Sequence, residues 1–400
     1  MGLVDDYLSA YKVGKKEQMA ARMAFFISGF AVATWAPMIP AVKDKLQIGA
    51  DILGMLLLSI GISAFIFMPL AGMLSRSYGC KKVLRTAIAV MAADLIILSL
   101  LGNIWGFLVF LAVFGAAMGC IDVNMNLNAV IVENASKKRM MSGMHALWSV
   151  GCFAGAGLFS LLAKAGLGIT VIAAIHSLIV IVFTVIYSRH FLNFKGAGNE
   201  KPIAVPKGIV VFFGVLACIT FLGEGAVMDW SGVLLTEVKN TELSLAGVGY
   251  AVFSVAMLCM RLLGDKTVAV LGEEKTLVFG SIIGAIGFLS VIFLENFYAI
   301  QLGFVLMGLG LANIVPTIYS LTKYQKVMPI NAAVTAITSM GYTGVILGPA
   351  VLGFVAHGFG IMQVFYLLAV LLAAQAGALN ITLPKWVRTL FKTLKFSIIK

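Results

Sequence analysis

The sequence predicts an all-α membrane protein, with twelve transmembrane helices forming two pseudo-symmetric six-helix bundles. Three observations carry that prediction. Of 400 residues, 61% are hydrophobic and only 12% charged, with a mean hydropathy of +1.03; an average globular chain carries about twice that charged fraction. Short polar breaks divide the chain into about twelve apolar runs, each close to the roughly 20 residues that cross a bilayer. The basic residues fall on alternate breaks, as they do when successive spans run in opposite directions.

The spans are expected at 22–42, 51–74, 82–101, 104–132, 141–163, 168–190, 208–236, 244–264, 275–294, 297–322, 331–355 and 360–383. Threading them alternately gathers Lys12, Lys15, Lys16 and Arg22; Arg76, Lys81, Lys82 and Arg85; and Lys137, Lys138 and Arg139 on one side. Arg189, Lys195, Lys201, Lys207, Arg261, Lys266, Lys275, Lys323, Lys326 and the tail join them, leaving Lys43, Lys45, Lys164 and Lys239 opposite. By the positive-inside rule the basic side is cytoplasmic and holds both termini. The net charge of +12 therefore records topology and does not call for nucleic acid. Cys80, Cys120, Cys152, Cys218 and Cys259 lie in or beside apolar runs without ligand-like spacing, so neither a disulfide framework nor a zinc site is expected. The polar first twenty residues show no small-residue cleavage site, and no removable signal peptide is expected.

The longest break, 191–207, is the only Gly/Pro/Lys-rich linker and falls at the midpoint. Four segments follow: an N-terminal bundle at 1–190, a cytoplasmic linker at 191–207, a C-terminal bundle at 208–383 and a tail at 384–400. The tail begins at Pro384 and alternates Trp386, Leu390, Phe391 and Leu394 with Lys385, Arg388, Lys392 and Lys395. That pattern predicts a basic amphipathic helix on the cytoplasmic lipid surface. The halves echo each other at Arg76 and Arg261, Asp122 and Asn313, and Ser149 and Ser339, offsets of 185, 191 and 190 residues. Parallel repeats of six spans with a site between them are a transporter plan.

The polar content of span four is the main functional signal. Asp122, Asn124, Asn126 and Asn128 lie within one apolar run, where a polar group must find a partner or face water. At 100° per residue Asp122 and Asn126 share a face, with Glu133 near the same stripe at the cytoplasmic end. Asn124 and Asn128 share the opposite face and are expected to bond to a neighbouring helix. Helix-bundle glue is the plain alternative for all five; a transport path lined by Asp122 and Asn126 is the sharper one. In span seven, Glu224 is flanked by Gly223 and Gly225, and Asp229 lies about 140° around the helix. One of the two is expected to bind a proton or substrate and the other to pack or gate. Trp230 suits either ring stacking or interfacial anchoring. Asp94 suits a functional role or pairing with a helix neighbour about equally, His176 a satisfied polar contact ahead of a proton relay, and His145 a gate. Asn313, by its offset from Asp122, is a cavity-lining candidate; Trp35, Gln301, Tyr319 and Tyr342 are weaker ones.

The loop after span two reads Gly72-Met-Leu-Ser-Arg76-Ser-Tyr-Gly79-Cys-Lys81-Lys82, and span eight ends Arg261-Leu-Leu-Gly264-Asp265-Lys266. With these motifs the chain resembles the major facilitator superfamily over essentially its whole length. The superfamily's acid in this loop is replaced by Arg76, whereas the second copy keeps Asp265. Within the superfamily the chain is similar to the fucose-permease-like group, on Asp122 and Asn126 in span four, Met140 to Ser149, and Gly223 to Ser231. The resemblance implies a bacterial inner-membrane, multi-pass protein in which Asp122 takes part in proton coupling. The sugar symporter of that group has an acid in span one; Thr34-Trp35-Ala36-Pro37 has none, so sugar specificity does not transfer. With Arg76 reversed in sign, the cytoplasmic latch is expected to pair Arg76 with Glu133, and Arg261 and Asp265 to form its second-half counterpart.

The expectation is a secondary active transporter of a small polar solute, sugar-like or an organic metabolite, moved with protons by alternating access. Proton coupling falls to Asp122, Glu224 or Asp229. Asn126, Asn313, Trp35, Trp230 and Tyr342 meet the substrate, and Arg76, Glu133, His145, Arg261 and Asp265 gate. The partners are solute, protons and membrane lipids, with no cofactor or metal, and the chain is taken as a monomer. An exporter or antiporter is the same-class rival, favoured less because Ala156 stands where drug antiporters carry proline. A non-transporting sensor is the other rival, although buried acids are costly in a scaffold. No Walker motif is present, and Gly61 and Gly72 belong to helix packing, so neither an enzyme nor an ATP-driven pump is expected.

Overall fold

The computed structural model describes residues 13–48, 50–195, 205–241, 245 and 248–398. Every regular element among them is helical. The spanning helices are α1 (Lys15–Trp35), α2 (Ala50–Tyr78), α3 (Cys80–Leu100), α4 (Ile104–Ser136), α5 (Met141–Lys164) and α6 (Ile169–Ser188) in the first half. The second half holds α7 (Ile209–Val233), α8 (Val248–Leu271), α9 (Glu273–Phe293), α10 (Phe297–Leu311), α11 (Ile330–Phe359) and α12 (Ile361–Ile398). Eleven of the twelve are long and apolar enough to cross a bilayer by length and composition, the tenth when counted from Phe297 to Tyr324 across its break. The exception is α1, whose first turns carry Lys15, Lys16, Glu17 and Arg22.

Packing repeats between the halves. Helix α1 lies against α5 and α2 against α4; in the second half α7 lies against α11 and α8 against α10. Lipid offers no hydrophobic drive to join helices, so close backbone approach at small residues has to supply the contact. Gly29 of α1 sits on the Trp148 carbonyl of α5, Gly151 and Gly155 of α5 sit on the Phe26 and Phe30 carbonyls, and Gly344 of α11 sits on the Cys218 carbonyl of α7. The halves meet through α2 with α11 and α5 with α8, two contacts that exchange under the same symmetry.

Turn chemistry marks the repeat more sharply than the spans do. Gly79 and Gly272 hold positive φ before α3 and α9, and Gly166 and Gly360 do so before α6 and α12. Asn103 caps α4 by accepting from the Gly106 amide, as Asn296 caps α10 by accepting from Tyr298 and Ala299.

Four expected boundaries move. The first span starts at Lys15 and ends at Trp35, followed by a tight turn at Ala36–Met38 and a short helix Ile39–Leu46. Pro37 and Pro40 have no amide hydrogen to continue the ladder. Span four runs on to Ser136, where Lys137 closes it at φ 51°. Span ten is broken after Leu311 and resumes as a short helix, Ile314–Leu321, with Asn313 at φ −105°, ψ 2°. Finally, α12 passes Pro384 without a break and continues to Ile398, so the tail is an extension of the last span and not a separate helix; its side chains lie outside the described residues. Of the linker, 196–204 also lies outside them, while Phe191, Leu192 and Phe194 are buried against the first half.

Candidate functional site

Asp122 lies 14 residues above the basic end of α4 and Glu224 lies 15 residues above the basic end of α7. At 1.5 Å per residue both stand about 21–23 Å along their helices from that end. Asp122 is half-buried. Tyr342 of α11 faces its carboxylate, so an acid of the first half and a hydroxyl of the second are electrostatic neighbours. Tyr342 in turn packs edge-on against Phe221 of α7, ring centroids 6.1 Å apart.

Glu224 forms the second centre. Its side chain is 20% exposed, and Arg261 of α8, only 7% exposed, donates to both its oxygens at 3.4 and 3.5 Å. The same guanidinium reaches Ser149 Oγ of α5 and the Ala312 carbonyl, each at 3.3 Å. Arg261 thus ties α7, α8, the break in α10 and, across the halves, α5. That role is broader than the latch expected for it.

Below these centres toward the basic end lies an aromatic layer. His145 of α5 is set between Phe25 of α1 (5.0 Å) and Tyr319 (6.0 Å, rings 17° from parallel). The Tyr319 hydroxyl is 2.8 Å from Thr338 Oγ1 of α11. Below that layer, carboxylates converge on the start of α5. Glu133 accepts from the Met140 and Met141 amides, both at 2.8 Å, and Asp265 of α8 accepts from Ser142 and Gly143 at 3.0 and 3.2 Å. The first amides of a helix lack internal acceptors and carry partial positive charge, which suits carboxylates. Arg139 closes the layer with two bonds to Glu273 of α9, at 2.5 and 3.2 Å.

The ion pair found at Glu133 is with Lys323, at 3.7 Å, in place of the expected Arg76. Glu133 is buried and turned toward the α5 start, where its two amide bonds leave one oxygen for the loop after span ten. Asn313 also departs from expectation. It is buried, donates to the Met260 carbonyl at 3.3 Å and abuts Gly264 of α8. Its counterpart is Asn124, whose side chain meets Ser75 of α2. Residues 75 and 124 are each 189 before 264 and 313, an offset that also relates the starts of α5 and α11 at Met141 and Ile330. In that register Asp122 answers to buried Leu311, and Arg76 to Asp265.

The remaining candidates spread out. Asn126 is buried, with its amide on the Asp122 carbonyl and its Oδ1 without a partner. Asn128 donates to the Leu192 carbonyl and so pins the linker's start. Trp35 is buried near Phe114, and Trp230 is half-buried beside Gly353; both indole nitrogens lack a partner. Asp229 is exposed. His176 is buried with its ring nitrogens 2.9 and 3.1 Å from the Ile172 and Gly155 carbonyls, and a neutral imidazole donates to one of them, in keeping with a packing residue. Glu273, Lys323 and Thr338 carried no signal in the sequence, because each gains its role from a partner more than 100 residues away or on a separate helix. No grouping of three or more His, Cys, Asp or Glu among the described residues suits a metal ion.

Comparison with known proteins completes the description. Residues 23–329 match the family model of the Major Facilitator Superfamily. An uncharacterised MFS-type transporter of Yersinia pestis is 41% identical over 372 residues, 92% of this chain and 96% of the relative. The membrane protein MosC of Rhizobium meliloti is 29% identical over 352 residues, 87% of this chain and 86% of the relative. Among solved structures, the E. coli fucose:proton symporter in an outward conformation superposes with a TM-score of 0.75 at 16% identity, covering 91% of this chain and 97% of that one.

Proposed function

The chain belongs to the major facilitator superfamily, and from that premise we propose that it couples inward movement of a small polar solute to protons by alternating access. It is a non-enzymatic membrane transporter. The observation carrying the finer proposal is the juxtaposition of Asp122 and Tyr342 across the two halves. A carboxyl group that faces a hydroxyl of the opposite half only while the halves are apposed at that depth links its protonation to their relative position. Loading a proton weakens Asp122 as an acceptor, and rocking of α11 past α4 separates the pair, so each event biases the other.

Glu224, held by Arg261 and Ser149, is assigned to the solute. Its carboxylate, and the Phe221 ring one turn before it with Tyr342 packed against that ring, offer polar and flat surfaces together, which suits a hydroxylated metabolite. Asn126, Trp35 and Trp230 are secondary contacts in this reading, Asn313 a structural residue of the α10 break, and Asp229 a residue of the outer mouth. The basic end is cytoplasmic, with both termini there and the protein a monomer in a bacterial inner membrane. The contacts between the halves at that end then describe a molecule shut toward the cytoplasm.

The test begins with a solute library scored by thermal shift, since a ligand of the folded state raises its melting temperature. The hit is then followed in proteoliposomes under an inward proton gradient. Uphill accumulation that Asp122→Asn abolishes, while exchange survives, supports the proposal. Gradient-driven extrusion would instead establish the exporter, and binding without flux the sensor.

A further inference from the structure

A groove of about 470 Å³ runs down the outer face of the first half between α2, α3 and α4. Phe67 and Leu74 of α2 and Ala116 of α4 line its apolar length, and Tyr78, Lys82 and Thr86 form its mouth. The mouth lies at the basic end, where α2 stops at Tyr78 and α3 begins at Cys80. From Phe67 to Tyr78 is eleven residues, about 16 Å of helix, close to half of a hydrocarbon core about 30 Å thick. The groove therefore spans one leaflet, from headgroup level to the midplane.

We propose that this groove is a binding site for one anionic glycerophospholipid of the leaflet at the basic end. An acyl chain fills the apolar length, and the phosphate meets the Lys82 ammonium. Lys82 is exposed, and its Nζ stands 5.3 Å over the Tyr78 ring, which fixes the cation at the mouth. Thr86, one turn along α3 and also exposed, adds a hydroxyl donor on the same face. Arg85, exposed beside them, adds a further positive charge to the local field. Lys81, in contrast, is committed to the Arg189 carbonyl at 2.6 Å. A basic pocket between helices on the cytoplasmic side is the chemistry that recognises an anionic headgroup over a zwitterionic one. The site is separate from the transport path, although Leu74 adjoins Ser75, which bonds Asn124, so lipid bound there packs on the α2–α4 joint.

Native mass spectrometry of the full chain, titrated in detergent with phosphatidylglycerol or phosphatidylethanolamine, tests the site. The expected result is one phosphatidylglycerol retained at least tenfold more tightly than phosphatidylethanolamine. Lys82→Glu should remove that preference, Lys82→Arg keep it, and Ala116→Trp, which fills the groove but keeps the charge, displace the lipid. Melting temperatures with and without each lipid report folding of the variants and should rise with phosphatidylglycerol in the wild type alone among wild type, Lys82→Glu and Ala116→Trp. Equal retention of both lipids overturns the proposal. So does a preference lost in Lys82→Glu but intact in Ala116→Trp, which would mean surface charge without a groove.

Discussion

Asp265 of α8 caps the start of α5 in the other half, accepting hydrogen bonds from Ser142 and Gly143 at 3.0 and 3.2 Å. A helix cap here is also a fastening between domains. Removing a capping side chain costs about 1 kcal/mol, and because this cap forms only when the basic ends are together, the loss falls on the closed state. Asp265→Ala should therefore shift the equilibrium toward opening at the basic end by about fivefold. Spin-label distances between the ends of α5 and α8 measure it. Unchanged distance distributions would mean that the cap is redundant.

Tyr342 gives a finer test of coupling than Asp122 itself. Asp122→Asn removes the titrating group, whereas Tyr342→Phe removes only the hydroxyl that faces it across the halves. A hydrogen bond formed between the two during the cycle contributes about 1 kcal/mol net, more when the acceptor is charged. Tyr342→Phe should keep proton-driven accumulation but lower its rate roughly three- to tenfold, while Asp122→Asn abolishes accumulation. Identical kinetics for Tyr342→Phe and wild type in proteoliposomes would remove the tyrosine from the cycle.

Glu224 and Arg261 should behave as a unit. Breaking a buried pair strands a charge at about 3–5 kcal/mol, and Arg261 is only 7% exposed. Glu224→Gln alone should lower the melting temperature of detergent-solubilised protein markedly. The Glu224→Gln, Arg261→Gln double variant should be more stable than the Glu224→Gln single. Additive losses in that cycle would show that Arg261 owes its stability to the Ala312 and Ser149 bonds instead.

The twelve spans were legible because each needs about 20 apolar residues and the breaks between them are polar. The pairing of Asn124 with a neighbouring helix was legible too, since a buried amide has to find a partner; Ser75 supplies it. The register between halves was less so. Matching like residues linked Asp122 to Asn313, but the break after Leu311 changes the spacing within α10. Geometry aligns Asn313 with Asn124, 189 apart, whereas the turn residues Gly79 with Gly272 and Asn103 with Asn296 stand 193 apart. The latch was illegible for a different reason. Opposite charge and a shared cytoplasmic end point Arg76 to Glu133, while Glu133 is claimed by backbone amides that no pattern of charges reveals.

The Arg139–Glu273 pair carries the last prediction. It joins the α4–α5 loop to α9 through two parallel bonds, the geometry in which a guanidinium and a carboxylate bind best. Its side chains are 31% and 17% exposed, between the surface case worth under about 1 kcal/mol and the buried case in which desolvation dominates. A contribution of about 1 kcal/mol to the closed basic end follows, additional to that of Asp265 because the two contacts share no residue. Arg139→Glu or Glu273→Arg alone places like charges together and should open that end beyond what either loss explains. The double reversal restores opposite charges and should recover most of the closed population. Raising salt should bring the two single variants closer to wild type, since a partly exposed pair is screened over about 8–10 Å at physiological ionic strength. Distances between labels on the α4–α5 loop and the start of α9 report each state. If the double variant is as open as the sum of the singles, the pair does not hold the halves together, and the fastening rests on Asp265 and Glu133.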